Sequence, residues 1–318
     1  MHPTPSRRLG LLAVVVTAVL WGTTGTAATF APDVGPLAIG AAALGIGGLL
    51  QAAVAVRPIQ RARPVLAARW PLVLVGGVAV AVYPLAFYTA MHTAGVAIGS
   101  VVSLASAPVA SGVLERVVDR RPLGARWGTA VVIGVVGSTA LCLSGTASSD
   151  PGTGNGTDPG GTVAGIALGL VAGATYALYS WTAHRLMTRS VPRAAAMGAV
   201  FGTGGLLLLP VLLLTGAPLL ATPTNTAVGL YMALVPMAAG YLLFGIGLES
   251  VPPSTATTVT LLEPAVATVL AVTVVGERLA PAGWVGLALV GVALVVLVAS
   301  PARSTARGPG NAPTPPLS

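Results

Sequence analysis

The chain has 318 residues, is 54% hydrophobic and 8% charged, and has a mean hydropathy of +0.87, too apolar for a soluble domain of this length. Its net charge of +8 comes from arginines in short clusters between apolar runs, which argues against the contiguous basic face that a nucleic-acid partner requires. Cys142 is the single cysteine, so neither a disulfide nor a thiolate metal site can form within one chain.

A bilayer core of ~30 Å takes about 20 mostly apolar residues per helix, and the chain carries ten such runs. The first, Leu9–Phe30, is longer than the ~7 to 15 apolar residues of a cleavable signal, which predicts a retained helix. Trp21, Thr23 and Thr24 interrupt its greasy surface, either for helix packing or as part of a pocket wall. Pro36–Val56 is the second helix, with Gln51 its only amide, and a basic loop with Arg57, Arg61, Arg63 and Arg69 follows. The third, Pro71–Met91, contains Tyr83, Pro84, Phe87 and Tyr88. An interior proline frees a carbonyl and kinks the helix, so aromatics beside it can line a pocket or pack the interior.

Gly95–Val118 and Trp127–Gly145 are the fourth and fifth helices. Residues 148–162 (SSDPGTGNGTDPGGT) lack any base and predict a flexible linker; without a GK[ST] ending they are no phosphate cradle. Val163–Trp181 has Gly165, Gly169 and Gly173 four apart on one smooth face, then Tyr176 and Tyr179. Ala195–Leu214 follows a second basic loop, and Ala227–Leu248 carries Pro236, Tyr241 and Phe244, resembling the third helix. Thr255–Val275 and Pro281–Ala299 complete the set, and residues 301–318 predict a disordered tail.

With the N-terminus inside, ten spans place fifteen of the sixteen basic residues on the cytoplasmic side, leaving only Arg278 outside. The expected protein is therefore a multi-pass protein of the cytoplasmic membrane with both termini in the cytosol. Pairing Pro108 with Pro264 and Trp127 with Trp284 aligns the halves as five-helix repeats at 1–147 and 163–300. An odd number of helices per repeat inserts the second copy upside down, a plan used by secondary transporters. The predicted fold is thus all-α, with ten transmembrane helices in two inverted repeats.

One acid stands out. Glu263 precedes Pro264 inside the ninth run, where a carboxylate costs roughly 2.5 to 3.5 kcal/mol and needs a partner or a wet cavity. Thr257, Thr260 and Glu263 recur every third residue on one helix face, and Ser100, Ser103 and Ser106 repeat that spacing ahead of Pro108. These two faces are expected to meet across a central chamber. There Glu263 is a proton carrier or the anionic contact of a substrate amine; the alternative is a glutamate bonded only to hydroxyls or to backbone freed at Pro264. Trp21, Thr24, Tyr83, Tyr88, Tyr176, Tyr179, Tyr241 and Phe244 complete the expected lining, since aromatics hold apolar or cationic substrates without charge of their own. Glu115 and Asp119 predict interfacial salt links to Arg116, Arg120 and Arg121, and Glu277 with Arg278 is the corresponding pair outside.

Residues 21–24 (WGTT), 90–109 (AMHTAGVAIGSVVSLASAPV), 262–266 (LEPAV) and 276–284 (GERLAPAGW) resemble the paired signatures of the EamA family in the drug/metabolite transporter superfamily, over nearly all of residues 9–300. The resemblance implies a ten-helix permease exporting amino acids or other small metabolites, without cofactor, catalytic residue or metal. The chain departs from the pattern at Asp119–Pro122, which reads DRRP instead of GER, and at Tyr176, where tryptophan is common. Its first helix also lacks the carboxylate of small multidrug relatives, which speaks against cation exchange by their mechanism. Protons and the bilayer are the expected partners besides substrate, in a monomer or homodimer. An intramembrane enzyme needs convergent His, Asp or Ser groups, yet His2, His92 and His184 lie apart in the sequence and no HExxH or GxSxG occurs. A non-transporting sensor would lack any soluble signalling domain here.

Overall fold

A computed structural model describes residues 6–146, 159–275 and 281–298. Its helices are α1 (Arg7–Ala28), α2 (Pro36–Val54), α3 (Val56–Ala68), α4 (Trp70–Ala94), α5 (Val96–Val117), α6 (Ala125–Thr146), α7 (Pro159–Thr188), α8 (Arg193–Thr215), α9 (Pro223–Ser250), α10 (Pro253–Val274) and α11 (Pro281–Val298). Among the described residues eight of these are long and apolar enough to cross a membrane: α1, α2, α4, α5 and α7 to α10. The expected fifth and tenth spans, α6 and α11, are apolar helices packed along each other. No strand occurs among the described residues.

Several boundaries differ from the sequence expectation; α7, for one, runs on through His184 and Arg185 to Thr188. The basic stretch after α2 is a helix and not a loop: Ala62 and Leu66 are buried while Arg57, Arg61 and Arg63 stay exposed. Apolar residues three and four apart explain this, since they give the segment one face to bury against α8 and α2. The linker is also shorter, because α7 already starts at Pro159; the rest of it, the tail, and Glu277 with Arg278 lie outside the described residues.

Lipid offers no hydrophobic drive between helices, so close packing must hold them, and glycine supplies it. A Cβ on Gly48 of α2 would lie 2.3 Å from the Phe201 carbonyl oxygen of α8, and one on Gly205 would lie 2.7 Å from the Gly45 carbonyl oxygen. The glycine face of α7 packs as its spacing predicts, Gly165 on Ala94 of α4 and Gly169 on Val102 of α5. Helix α9 lies antiparallel on α1, from Gly10 beside Ser250 to Thr23 bonded to Tyr231.

The core is rich in rings although the chain is only 5% aromatic. Tyr176, Tyr179, Tyr241, Phe201 and Phe244 are its largest fully buried side chains. Rings so few, yet gathered into one cluster from α1, α4, α7, α8 and α9, mark the centre of the bundle.

Candidate substrate chamber

Two interrupted helices meet at the centre. Helix α10 is broken at Thr260–Leu261, between helical segments Pro253–Val259 and Leu262–Leu270. Pro264 causes this, because it has no N–H to give the Thr260 carbonyl; the Glu263 N–H takes that carbonyl instead at 2.9 Å in a tighter turn. Glu263 thereby stands in the first turn of the second segment, where the helix dipole favours a carboxylate. Helix α1 breaks at Thr23, and its Gly22 lies against Val266 and the Glu263 carbonyl. Helix α9 widens into a π turn at Ala233–Ala239 around Pro236, whose carbonyl accepts the Trp21 indole N–H at 2.9 Å.

Between these breaks is a chamber of about 20 Å³ lined by Glu263, Trp21, Tyr83, Tyr88, Tyr241 and Thr24, and by Leu44, Phe87 and Met237. Among the described residues no ion pair engages the Glu263 carboxylate, and the residue, half-buried, lines this space. A second cavity of about 430 Å³ adjoins it toward the Thr29 end of α1, lined by Thr23, Thr26, Phe30, Tyr231 and Leu270 among others. The hydroxyls of Thr23 and Tyr231 share a 2.8 Å hydrogen bond in its wall. Thr24, the next residue, faces the inner chamber.

Of the expected lining, six residues reach the chamber and the others stand behind it. Tyr176 shares a 2.8 Å hydrogen bond with Thr260, and Tyr179 one of 2.8 Å with Tyr241. Phe244 packs on Trp21, with ring centroids 5.3 Å apart. The expected meeting of hydroxyl faces takes another form. Thr257 reaches Ser111 at 3.2 Å, whereas Ser103 and Ser106 abut Gly169 and Gly173 of α7. Ser100 lies one turn further from Thr257 on the same helix α5. The glycine stripe decides this, for it draws α7 over the α5 serines and leaves α10 the next turn down.

Sequence inspection missed Leu44 and Met237 as lining, and named Phe87 only among the aromatics beside Pro84 that line a pocket or pack the interior. Phe87 follows Tyr83 by one helical turn and Met237 follows Pro236, both usable signals; nothing around Leu44 distinguishes it from other helical leucines.

The basic end of the bundle, away from the large cavity, is latched. Asp119 pairs with Arg185 and accepts the Trp181 indole N–H at 2.8 Å, while Arg193 meets Glu249 at 2.6 Å. Glu115 is buried and accepts the Ser254 N–H at 2.7 Å, capping the start of α10. Glu115 of α5 and Asp119 just after it thus join α10 and α7, instead of pairing with the arginines beside them. Among the described residues no cluster of three His, Cys, Asp or Glu side chains could hold a metal ion.

Apolar helices around a small central chamber define a multi-pass membrane protein. The chain belongs to the EamA-like transporter family, whose model matches residues 8–143 and again 163–299, and it is a membrane transporter. It is 36% identical over 294 residues, 92% of this chain and 94% of the relative, to the Bacillus subtilis (strain 168) protein named uncharacterized transporter YwfM. An uncharacterized transporter of Clostridium kluyveri is 32% identical over 118 residues, 36% of this chain and 37% of that one. A solved crystal structure shares the fold with a TM-score of 0.72 at 19% identity, covering 92% of this chain and 96% of the other.

Proposed function

We propose that the protein carries a small metabolite outward across the cytoplasmic membrane by alternating access, with Glu263 as the coupling group of the central chamber. The observation that carries this proposal is the Glu263 carboxylate, without an ion pair among the described residues, between two broken helices, a setting in which transporters hold substrates and coupling ions. Residues 1–147 and 163–300 act as inverted five-helix repeats joined by an external linker. The paired family match supports this, as does the packing: α1 lies on α9 as α4 lies on α7, while α2 lies on α8 and α6 on α11.

The arginine bias supports an orientation with the latched end and both termini in the cytosol, in which the 430 Å³ cavity faces outward. Parting of Asp119 from Arg185 then opens the inner face while α1 and α9 close the outer one. Amino acids, which the family resemblance implies among other small metabolites, and simple amines both bring an ammonium that Glu263 can hold. Exchange of that ammonium for a proton on the same carboxylate couples export to the proton gradient. Transport by wild type and Glu263→Gln in inverted vesicles, with and without a pH gradient, tests the proposal. The variant should lose pH-driven uptake, and undiminished pH-driven uptake would remove Glu263 from the mechanism.

A further inference from the structure

The chamber is electrically one-sided. Among the described residues five rings, Trp21, Tyr83, Phe87, Tyr88 and Tyr241, surround a single carboxylate, and no arginine or histidine lines the chamber. The titratable groups around Glu263 are Tyr83 and Tyr88 from α4 and Tyr241 from α9 in the chamber wall, with Tyr176 of α7 behind them on Thr260, all phenols that carry no positive charge in any state. Basic side chains of the latched end are held elsewhere: Arg185 by Asp119, Arg193 by Glu249, and His184 by the Leu248 carbonyl at 2.6 Å.

A zwitterion placed here would find only hydroxyls, those of Thr24, Tyr83, Tyr88 and Tyr241, and no cation for its own carboxylate, close to a second acid; a buried charge left without a counter-charge costs several kcal/mol by roughly the scale for such groups. An organic ammonium meets the opposite situation, because ring faces and the carboxylate both attract it and their attraction grows once water is excluded. Resting on the permease proposal above, we infer that the substrate is a compact organic monocation, a primary amine or alkylammonium carrying an apolar group, and not a zwitterionic amino acid. In the present conformation the inner chamber has about 20 Å³, room for a water molecule. The outer cavity, at about 430 Å³, holds a small organic molecule. An amine passes from one to the other when the Thr23–Tyr231 bond opens and α1 moves from α9.

Three compounds with a common phenyl group separate the possibilities: phenethylamine, phenylalanine and 3-phenylpropionate differ chiefly in charge. Purified protein in liposomes should carry phenethylamine saturably, about tenfold or more faster than phenylalanine at equal concentration, with phenylpropionate at background. Glu263→Gln should lower phenethylamine flux about tenfold or more, and Tyr88→Leu several-fold while Tyr88→Phe stays near wild type, roughly as a cation over a ring face requires. Size-exclusion profiles of the variants distinguish these losses from misfolding. Phenylalanine or phenylpropionate carried as fast as phenethylamine, or no saturable phenethylamine flux, would overturn the monocation assignment and leave the permease proposal standing. Absence of flux across a broad panel of metabolites would count against the permease proposal itself.

Discussion

At the scale of single residues, the bundle depends on positions where a side chain has been given up. The Cβ that Gly48→Ala adds would sit 2.3 Å from a backbone oxygen, which cannot rotate away as a side chain could. Either α2 or α8 must shift, and overpacking of this kind costs roughly 1–3 kcal/mol. A Cβ on Gly128 of α6 would meet nothing within 4 Å, so Gly128→Ala is the matched control. The expected outcome in detergent is a lower thermal unfolding midpoint for Gly48→Ala and an unchanged or slightly raised one for Gly128→Ala. Equal midpoints would mean that α2 and α8 are less closely seated than described. Glu263 belongs to this scale too: one proline, by removing one N–H, sets the acid at the start of a helical segment.

Among elements, the contacts that would have to break during transport are few and polar. Asp119 follows α5 and holds two residues of α7, Trp181 and Arg185, whose guanidinium also lies 5.3 Å from the centre of the Trp181 ring. Asp119→Asn keeps the shape but removes the charge that makes the pairing strong. In a Cys142→Ser background carrying Thr257→Cys, this change should raise the rate of thiol labelling from the latched face about threefold or more, as a modest shift in population implies. An unchanged rate would show that the α5–α7 pair does not hold that face shut. Thr257 suits the probe because it is buried just inside the latch, on the turn that bonds Ser111.

For the molecule as a whole, orientation is the claim with the widest consequences, since it decides which cavity faces which solution. Thr29, at the far end of α1, and Thr188, at the end of α7, are both exposed and lie at opposite ends of the bundle. In intact cells a membrane-impermeant thiol reagent should label Thr29→Cys directly and Thr188→Cys only after permeabilisation. The reverse pattern would turn the protein over and make the proposed export path an import path.

Apolar runs of bilayer length, separated by arginines, established from sequence alone that this chain lives in a membrane, because lipid imposes length and charge rules that act on each segment separately. Glu263 was legible only in part: a buried acid is so costly that its presence in an apolar run calls for a partner or a wet cavity, and the choice between them was left to the assembled bundle, which sets it in a chamber wall. Glycine spacing on α7 also announced a packing face. The helical nature of residues 57–68 was harder to see, because the arginines mask a short apolar stripe that acquires meaning only once α8 is beside it. Which hydroxyls would face one another depended on where α7 settled, and that in turn on glycines distant in the chain. The partners of Asp119 and Glu115 were likewise hidden, since neighbours in sequence are the obvious candidates while the groups that bind them, Arg185, Trp181 and Ser254, arrive from other helices. Segment-level physics is written locally and can be read locally, whereas the closure of a pocket is a property of distances between segments, which only the assembled bundle sets.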